Sequence, residues 1–288
     1  MANPALDRLE IIKKIADFNR QLNSAIDKKV DTLDNRWAEV SKKYWKQLSK
    51  TIMEMVVSLD SKNGLIENTD ANLAKVKRLK ADLEKASRAL SQEGAGFLIR
   101  EGTKNLEEIS KKTEDFFKTL GPGLDGFLVI NPAVVRNIVE KSVLVWDDRT
   151  GELAREINSR LLDMVLRGTS VADAIKDYAK IVPAIEKPKK DGGVFKLSAA
   201  DRAEITMSTE FIRMFSEAAD KQATEAFGAD HYVENLNPMD DRTSPICEEA
   251  TLAGVMPRDE MVAEYGLPPR HPRCRCSIAT MPAFLVKK

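Results

Sequence analysis

Cys247, Cys274 and Cys276 are the only cysteines of the chain, and His271 is one of its two histidines. All four lie in the last 42 of 288 residues, three of them in the run His271-Pro272-Arg273-Cys274-Arg275-Cys276. Thiolate sulfur and neutral imidazole nitrogen are the usual ligands of tetrahedral zinc. Cys247, His271, Cys274 and Cys276 therefore form a candidate structural Zn2+ site of three sulfurs and one nitrogen. Such a site would clip together two segments separated in sequence and close the loop 254–269, which has little apolar content. Two other readings stay open. The thiols could be small buried hydrophobes, or Cys247 could form a disulfide with Cys274 or Cys276 outside a reducing compartment. An odd, clustered set of cysteines does not resemble a disulfide framework.

Charge divides by sign around this cluster. Residues 240–264 carry seven acids against Arg242 and Arg258, whereas residues 266–288 carry five basic residues and no acid. The two halves are expected to attract. Arg273 and Arg275 alternate with Cys274 and Cys276, so in an extended segment they project away from the sulfurs, toward acids of the same domain. A second basic group, Lys42, Lys43, Lys46 and Lys50 around Tyr44 and Trp45, is a candidate contact for double-stranded DNA. The competing reading is a solvated helix face whose aromatics are buried on the opposite side. No G-x-S-x-G, phosphate-binding glycine loop or H-E-x-x-H occurs. Asp241, His271 and Cys247 could be drawn as a thiol protease set, but the same residues serve better as ligands. The chain is not expected to be an enzyme.

The elements that must position these residues are mostly helical. The 45 basic and 45 acidic residues cancel, which excludes a uniformly basic nucleic-acid coat. Aromatic residues make up 6%, and a Lys, Glu, Leu and Ala-rich chain with few of them favours long exposed helical faces. No apolar run approaches the roughly 20 residues that span a bilayer. The start lacks the features of a signal peptide, so synthesis in a reducing cytoplasm and no membrane contact are expected.

Leu6, Leu9, Ile12, Ile15 and Phe18 predict a first helix, and Thr32 or Asp34 is the expected cap of a second that runs to about Leu59. A turn follows at residues 60–64. Val76, Leu79, Leu83, Ala86 and Leu90 alternate spacings of three and four, a short coiled-coil-like seam or a helix packed on its own neighbours. Gly94-Ala95-Gly96 should interrupt it, with a helix through Leu106, Ile109 and Phe116 beyond. Gly121-Pro122-Gly123 marks a boundary, giving a helical region 1–122 and a second domain 123–288. Residues 126–130 read as a strand, and Asn131-Pro132 as a cap with proline at the first helical position. Thr150 and Ser170 are further caps, and Gly168 suits a left-handed helix end. After a polar loop at 187–193, Ser198 starts a long helix that stops near Gly228. A strand at 229–236, short helices near 246–250 and 259–265, and a strand at 277–281 complete the chain. The fold class is mostly α: long N-terminal helices, then a small α+β C-terminal domain.

The motif Asp241-Arg242-Thr243-Ser244-Pro245-Ile246-Cys247, followed by Pro268-Pro269-Arg270-His271-Pro272-Arg273-Cys274-Arg275-Cys276, resembles the signature of phage Mu F-like minor head proteins, also called phage head morphogenesis proteins. The resemblance covers roughly residues 150–285. Two departures are Ser244, where many relatives have cysteine, and Leu252-Ala253-Gly254, where they have L-D-G. The resemblance implies a minor virion component inside the phage head, made in the bacterial host cytoplasm. It implies partners among portal, capsid and scaffold proteins and a structural role in head assembly. The alternative it implies is a DNA-associated ejection protein released with the genome. Enzyme domains fused behind the head domain in some relatives are not expected here, since the sequence stops soon after Cys276.

Overall fold

The computed structural model describes residues 8–120, 131–181, 199–240 and 242–286. The 121–123 breaker and domain boundary, the 126–130 strand, the 187–193 loop, Ser198 and Asp241 lie outside the described residues. The fold is mostly helical with a small antiparallel sheet near its C-terminal end. Among the described residues no helix is long and apolar enough to cross a membrane.

The first helix, α1 (Arg8–Ser58), is continuous over 51 residues. Neither Thr32 nor Asp34 starts a new helix. Thr32 Oγ1 donates back to the Lys28 carbonyl at 2.8 Å, and Asp34 accepts a bond from Ser208 Oγ at 2.6 Å. No glycine or proline falls between residues 8 and 58. Buried Ile26, Val30, Leu33 and Trp37 hold the helix through the expected break, and packing of this kind outweighs a local capping preference.

Two compact units divide the chain, and neither is one contiguous stretch. One comprises residues 35–96 and 144–207, the other residues 1–34, 97–143 and 208–288.

In the 35–96/144–207 unit, α1 leads into a tight hairpin, β1 (Ser61–Lys62) and β2 (Leu65–Ile66), paired antiparallel. Asn63 and Gly64 take φ of 54° and 78° at its tip, the left-handed geometry that two-residue hairpins require. Buried Asn72 anchors the turn, accepting from Asp60 N and donating to Asp60 O and Glu67 O. Helix α2 (Asp70–Phe97) buries Val76, Leu79, Leu83 and Leu90. It does not stop at Gly94-Ala95-Gly96. A Cβ at Gly94 would fall inside the indole of Trp146, so the glycine lets that ring lie on the helix backbone. Trp146 Nε1 donates to Ser91 O at 3.0 Å, and its ring meets Trp37 edge-on at 5.1 Å.

Trp146 sits on α4 (Pro132–Arg167). Asn131 caps this helix, its Oδ1 accepting from Ala133 N at 2.9 Å, with Pro132 in the first turn as expected. Thr150 is no cap. It is buried in mid-helix and donates to Trp146 O. Gly168 ends α4 at φ 63°, and Ser170 Oγ caps α5 (Val171–Ile181) by accepting from Asp173 N at 3.0 Å.

In the other unit, a π-helical turn (Leu98–Gly102) precedes α3 (Thr103–Lys118). The long α6 (Ala199–Phe227) ends at Gly228, φ 84°. Beyond it, β3 (Tyr232–Leu236) is central in a three-stranded antiparallel sheet, between β4 (Met256–Pro257) and β5 (Ser277–Met281). Val233 pairs with Thr280 and Met256, and every residue of β5 is buried. Between β3 and β4 lies α7 (Pro245–Leu252); after β4 come α8 (Arg258–Glu264) and, past β5, α9 (Ala283–Val286). Ile15, Phe117, Leu120, Met281 and Leu285 form one core of this unit. The 254–269 loop is therefore not bare: it holds β4 and α8, and Met261 is fully buried.

Candidate functional site

Cys247 is the third residue of α7, whose first turn is set by Pro245. Its side chain turns inward and is 1% exposed. Two amides fix its carbonyl from the β3 side: Asn235 Nδ2 donates at 3.2 Å and Asn237 Nδ2 at 2.9 Å. Each amide also reaches Thr251 Oγ1 at 2.7 Å. On the other side, His271–Cys276 forms the turn that enters β5, with Cys274 N donating to His271 O at 3.1 Å. Arg273 occupies this turn at φ 59°.

These two segments meet. Cys247 Sγ lies 3.2 Å from His271 Nε2 and 3.8 Å from Cys274 Sγ. The ligand atoms of Cys247, His271 and Cys274 are all within 4.8 Å of one another. Cys276 is 2% exposed and packs in the same sulfur cluster, but it is not one of the three donors that close to that distance.

His271 Nδ1 is 2.9 Å from Pro272 O. When Nδ1 donates to this carbonyl, Nε2 is free to bind a metal, the arrangement found in metal-binding histidines. Hydrogen bonds from the Cys274 and Cys276 thiols hold Cys247 far below the ordinary thiol range, against the effect of burial. Cys274 and Cys276 are pushed up, chiefly by their bonds to the Cys247 sulfur. Binding a divalent ion here would release the protons that the thiols carry.

Residues 155–279 match the family model described as Phage Mu protein F like protein. Over those residues the chain is similar to phage Mu F-like proteins. No curated protein and no solved structure matches the chain significantly. The matched span contains the whole Cys/His cluster.

Three arginines brace the cluster end of this matched region, and each uses partners distant in sequence. Arg270 donates to Tyr265 O at 3.0 Å, Gly266 O at 2.8 Å and Asn235 Oδ1 at 2.6 Å. It thereby joins the 265–270 loop to the amide that holds Cys247. Arg258 forms a two-pronged bond to Asp220, 2.9 Å on each prong, tying the start of α8 to α6. His231, fully buried just before β3, lies 3.7 Å from the same carboxylate. Arg258 holds Asp220 down at about 2, with His231 assisting, although burial opposes the shift. Arg275 pairs with Asp240 and stands 3.9 Å from Asp27. This is the acidic partnership expected of it, with one partner supplied by α1. Arg273 departs from the expected alternation because it sits in the turn, where its N–H donates to Thr209 Oγ1 at 3.2 Å.

Asp220, Asn235, Asn237 and Thr251 did not stand out in the sequence. The one available signal was Asn235, a polar residue in a strand whose neighbours alternate between buried and half-buried. Lys42, Lys43, Lys46 and Lys50 lie in the other unit and are exposed. Trp45 is buried, and the Tyr44 hydroxyl donates to Glu93 at 2.9 Å. Lys42 and Lys50 have Glu39 and Glu54 at 4.0 and 3.7 Å.

Proposed function

We propose that the chain is a phage minor head protein. It acts structurally at the portal vertex and capsid interior during head assembly, and Cys247, His271, Cys274 and Cys276 hold a structural zinc ion. The observation that carries this reading is the convergence of buried Cys247 and Cys274 with half-buried His271 inside the region similar to phage Mu F-like proteins. The donor set fits zinc. Two sulfurs each about 2.3 Å from a tetrahedral ion stand about 3.8 Å apart, and Cys247 and Cys274 are separated by 3.8 Å. Bound zinc would supply a cross-link and no reaction. Cys247 would tether α7, while His271, Cys274 and Cys276 would tether the turn into β5. A structural rather than enzymatic role is supported by the burial of Cys247, which gives its sulfur little access to a substrate.

Metal analysis of the purified full chain tests the zinc. About one zinc per chain, with a melting temperature lowered by chelation, is expected. Zinc near zero, with all three thiols titrating after unfolding, would overturn it. Density or immunolabelling in purified particles tests the assembly role. Presence in DNA-free heads supports it, whereas presence confined to DNA-filled heads favours release with the genome.

A further inference from the structure

A surface groove of about 610 Å³ runs between α2 and α4, within the 35–96/144–207 unit. Lys80, Glu84 and Arg88 line one wall and Gly151, Ala154, Arg155 and Leu162 the other. The α4 wall extends from Gly151 to Leu162, about 16 Å of helix or three turns. Lys80, Arg88 and Arg155 give the rim positive charge, opposed by Glu84, which sits between Lys80 at 3.9 Å and Arg88 at 4.0 Å.

Gly151 is the unusual member. It lies inside a 36-residue helix, where glycine weakens the helix relative to alanine. The two other glycines buried against helices have a reason within the chain: a Cβ at Gly94 would strike Trp146, and one at Gly102 would meet Met214 Sδ at 2.9 Å. A Cβ at Gly151 would meet nothing within 4 Å. Packing within the described residues therefore does not require this glycine, yet it keeps the groove floor open.

We propose that this groove docks an amphipathic α-helix of a partner protein, with an apolar stripe over Gly151, Ala154 and Leu162 and carboxylates along its edges facing Lys80, Arg88 and Arg155. The walls are helices whose backbone groups are already bonded along their length, so an extended peptide would find no ladder to join. A helix satisfies its own backbone and needs only side-chain contacts. Sign favours an acidic occupant. The chain's own 182–198 segment has four lysines against Glu186 and Asp191, the wrong charge for this rim.

The test uses the full chain and two synthetic helical peptides of about 18 residues, each with the same Ala/Leu stripe, one edged with glutamate and one with lysine. Fluorescence anisotropy should show binding of the glutamate-edged peptide and none of the lysine-edged one. Gly151→Met, whose Cβ would meet nothing within 4 Å and whose longer side chain would occupy the floor, and Arg155→Glu should each weaken binding about tenfold or more. An unchanged circular dichroism spectrum and a melting temperature no lower than that of the wild type for Gly151→Met would show that the fold survives. Equal binding of both peptides, no binding of either, or binding indifferent to Gly151→Met would overturn the proposal. So would loss of double-stranded DNA binding in Arg155→Glu with peptide binding intact, since the groove would then be a phosphate surface.

Discussion

Replacing Asp220 with asparagine removes one charge from the pair that ties α6 to the start of α8. The Asp220 side chain is 6% exposed, and both of its oxygens are bonded by Arg258 at 2.9 Å. Its carboxyl is lowered from 3.8 to about 2. At about 1.4 kcal/mol per pKa unit, this shift corresponds to about 2 kcal/mol of stability. The sign follows from the depressed value. The contribution is complete above the unfolded value of 3.8 and fades as pH falls toward about 2. At pH 7, Asp220→Asn should therefore destabilise by about 2–3 kcal/mol. Arg258 keeps Asp259 at 2.9 Å and partial access to water, which limits the penalty of leaving its charge behind. Between about pH 5 and pH 2 the gap between wild type and variant should close, because the wild-type carboxyl protonates. All three tryptophans, Trp37, Trp45 and Trp146, lie in the other unit, so their fluorescence would report on the wrong part of the molecule. Pulse-labelling hydrogen exchange along a urea series, read on peptides covering residues 229–240 and 274–284, addresses β3 and β5 directly. A gap that stays constant from pH 7 to pH 3 would refute the reasoning.

Gly94→Ala should destabilise by about 2 kcal/mol or more, since its methyl group would overlap the Trp146 ring. Gly151→Ala, with open space at its Cβ, should stabilise by about 0.5–1 kcal/mol; calorimetric melting of the two variants must show opposite signs. Arg270→Met strands Asn235 Oδ1 and two loop carbonyls, and should cost about 2 kcal/mol. Faster hydrogen exchange in residues 265–276, with α2 unchanged, is the expected readout, and unchanged exchange at 265–276 would contradict the bracing role. If zinc is bound, Cys274→Ser should lower zinc content and melting temperature together; lower stability with wild-type zinc content would remove Cys274 from the ligand set.

Several features of this protein were written in short stretches of sequence. Asn131 with Pro132, Ser170, Gly168 and Gly228 mark helix ends, because a cap needs only a nearby N–H and a left-handed residue needs only its own missing Cβ. The strand at 277–281 and the Cys247/His271–Cys276 signature were legible for the same local reason. The observed strand matches what residue type and spacing imply; of the four candidate ligands, Cys247, His271 and Cys274 come within 4.8 Å of one another and Cys276 does not join them at that distance. Tertiary structure alone decided the rest. Thr32 and Asp34 look like caps, but buried neighbours on both sides keep α1 unbroken. Gly94 looks like a breaker, but Trp146, more than 50 residues later, fills the space it leaves. The groupings Asp220 with Arg258, Arg270 with Asn235 and Arg275 with Asp27 join residues with no common pattern. Which charge finds which partner depends on how separate elements pack. The compact units likewise interleave because long helices such as α1, α4 and α6 each contribute residues to both. Local geometry sets where an element ends only when no buried contact opposes it; where side chains from distant segments pack against the same turn, their burial outweighs the smaller capping or glycine preference.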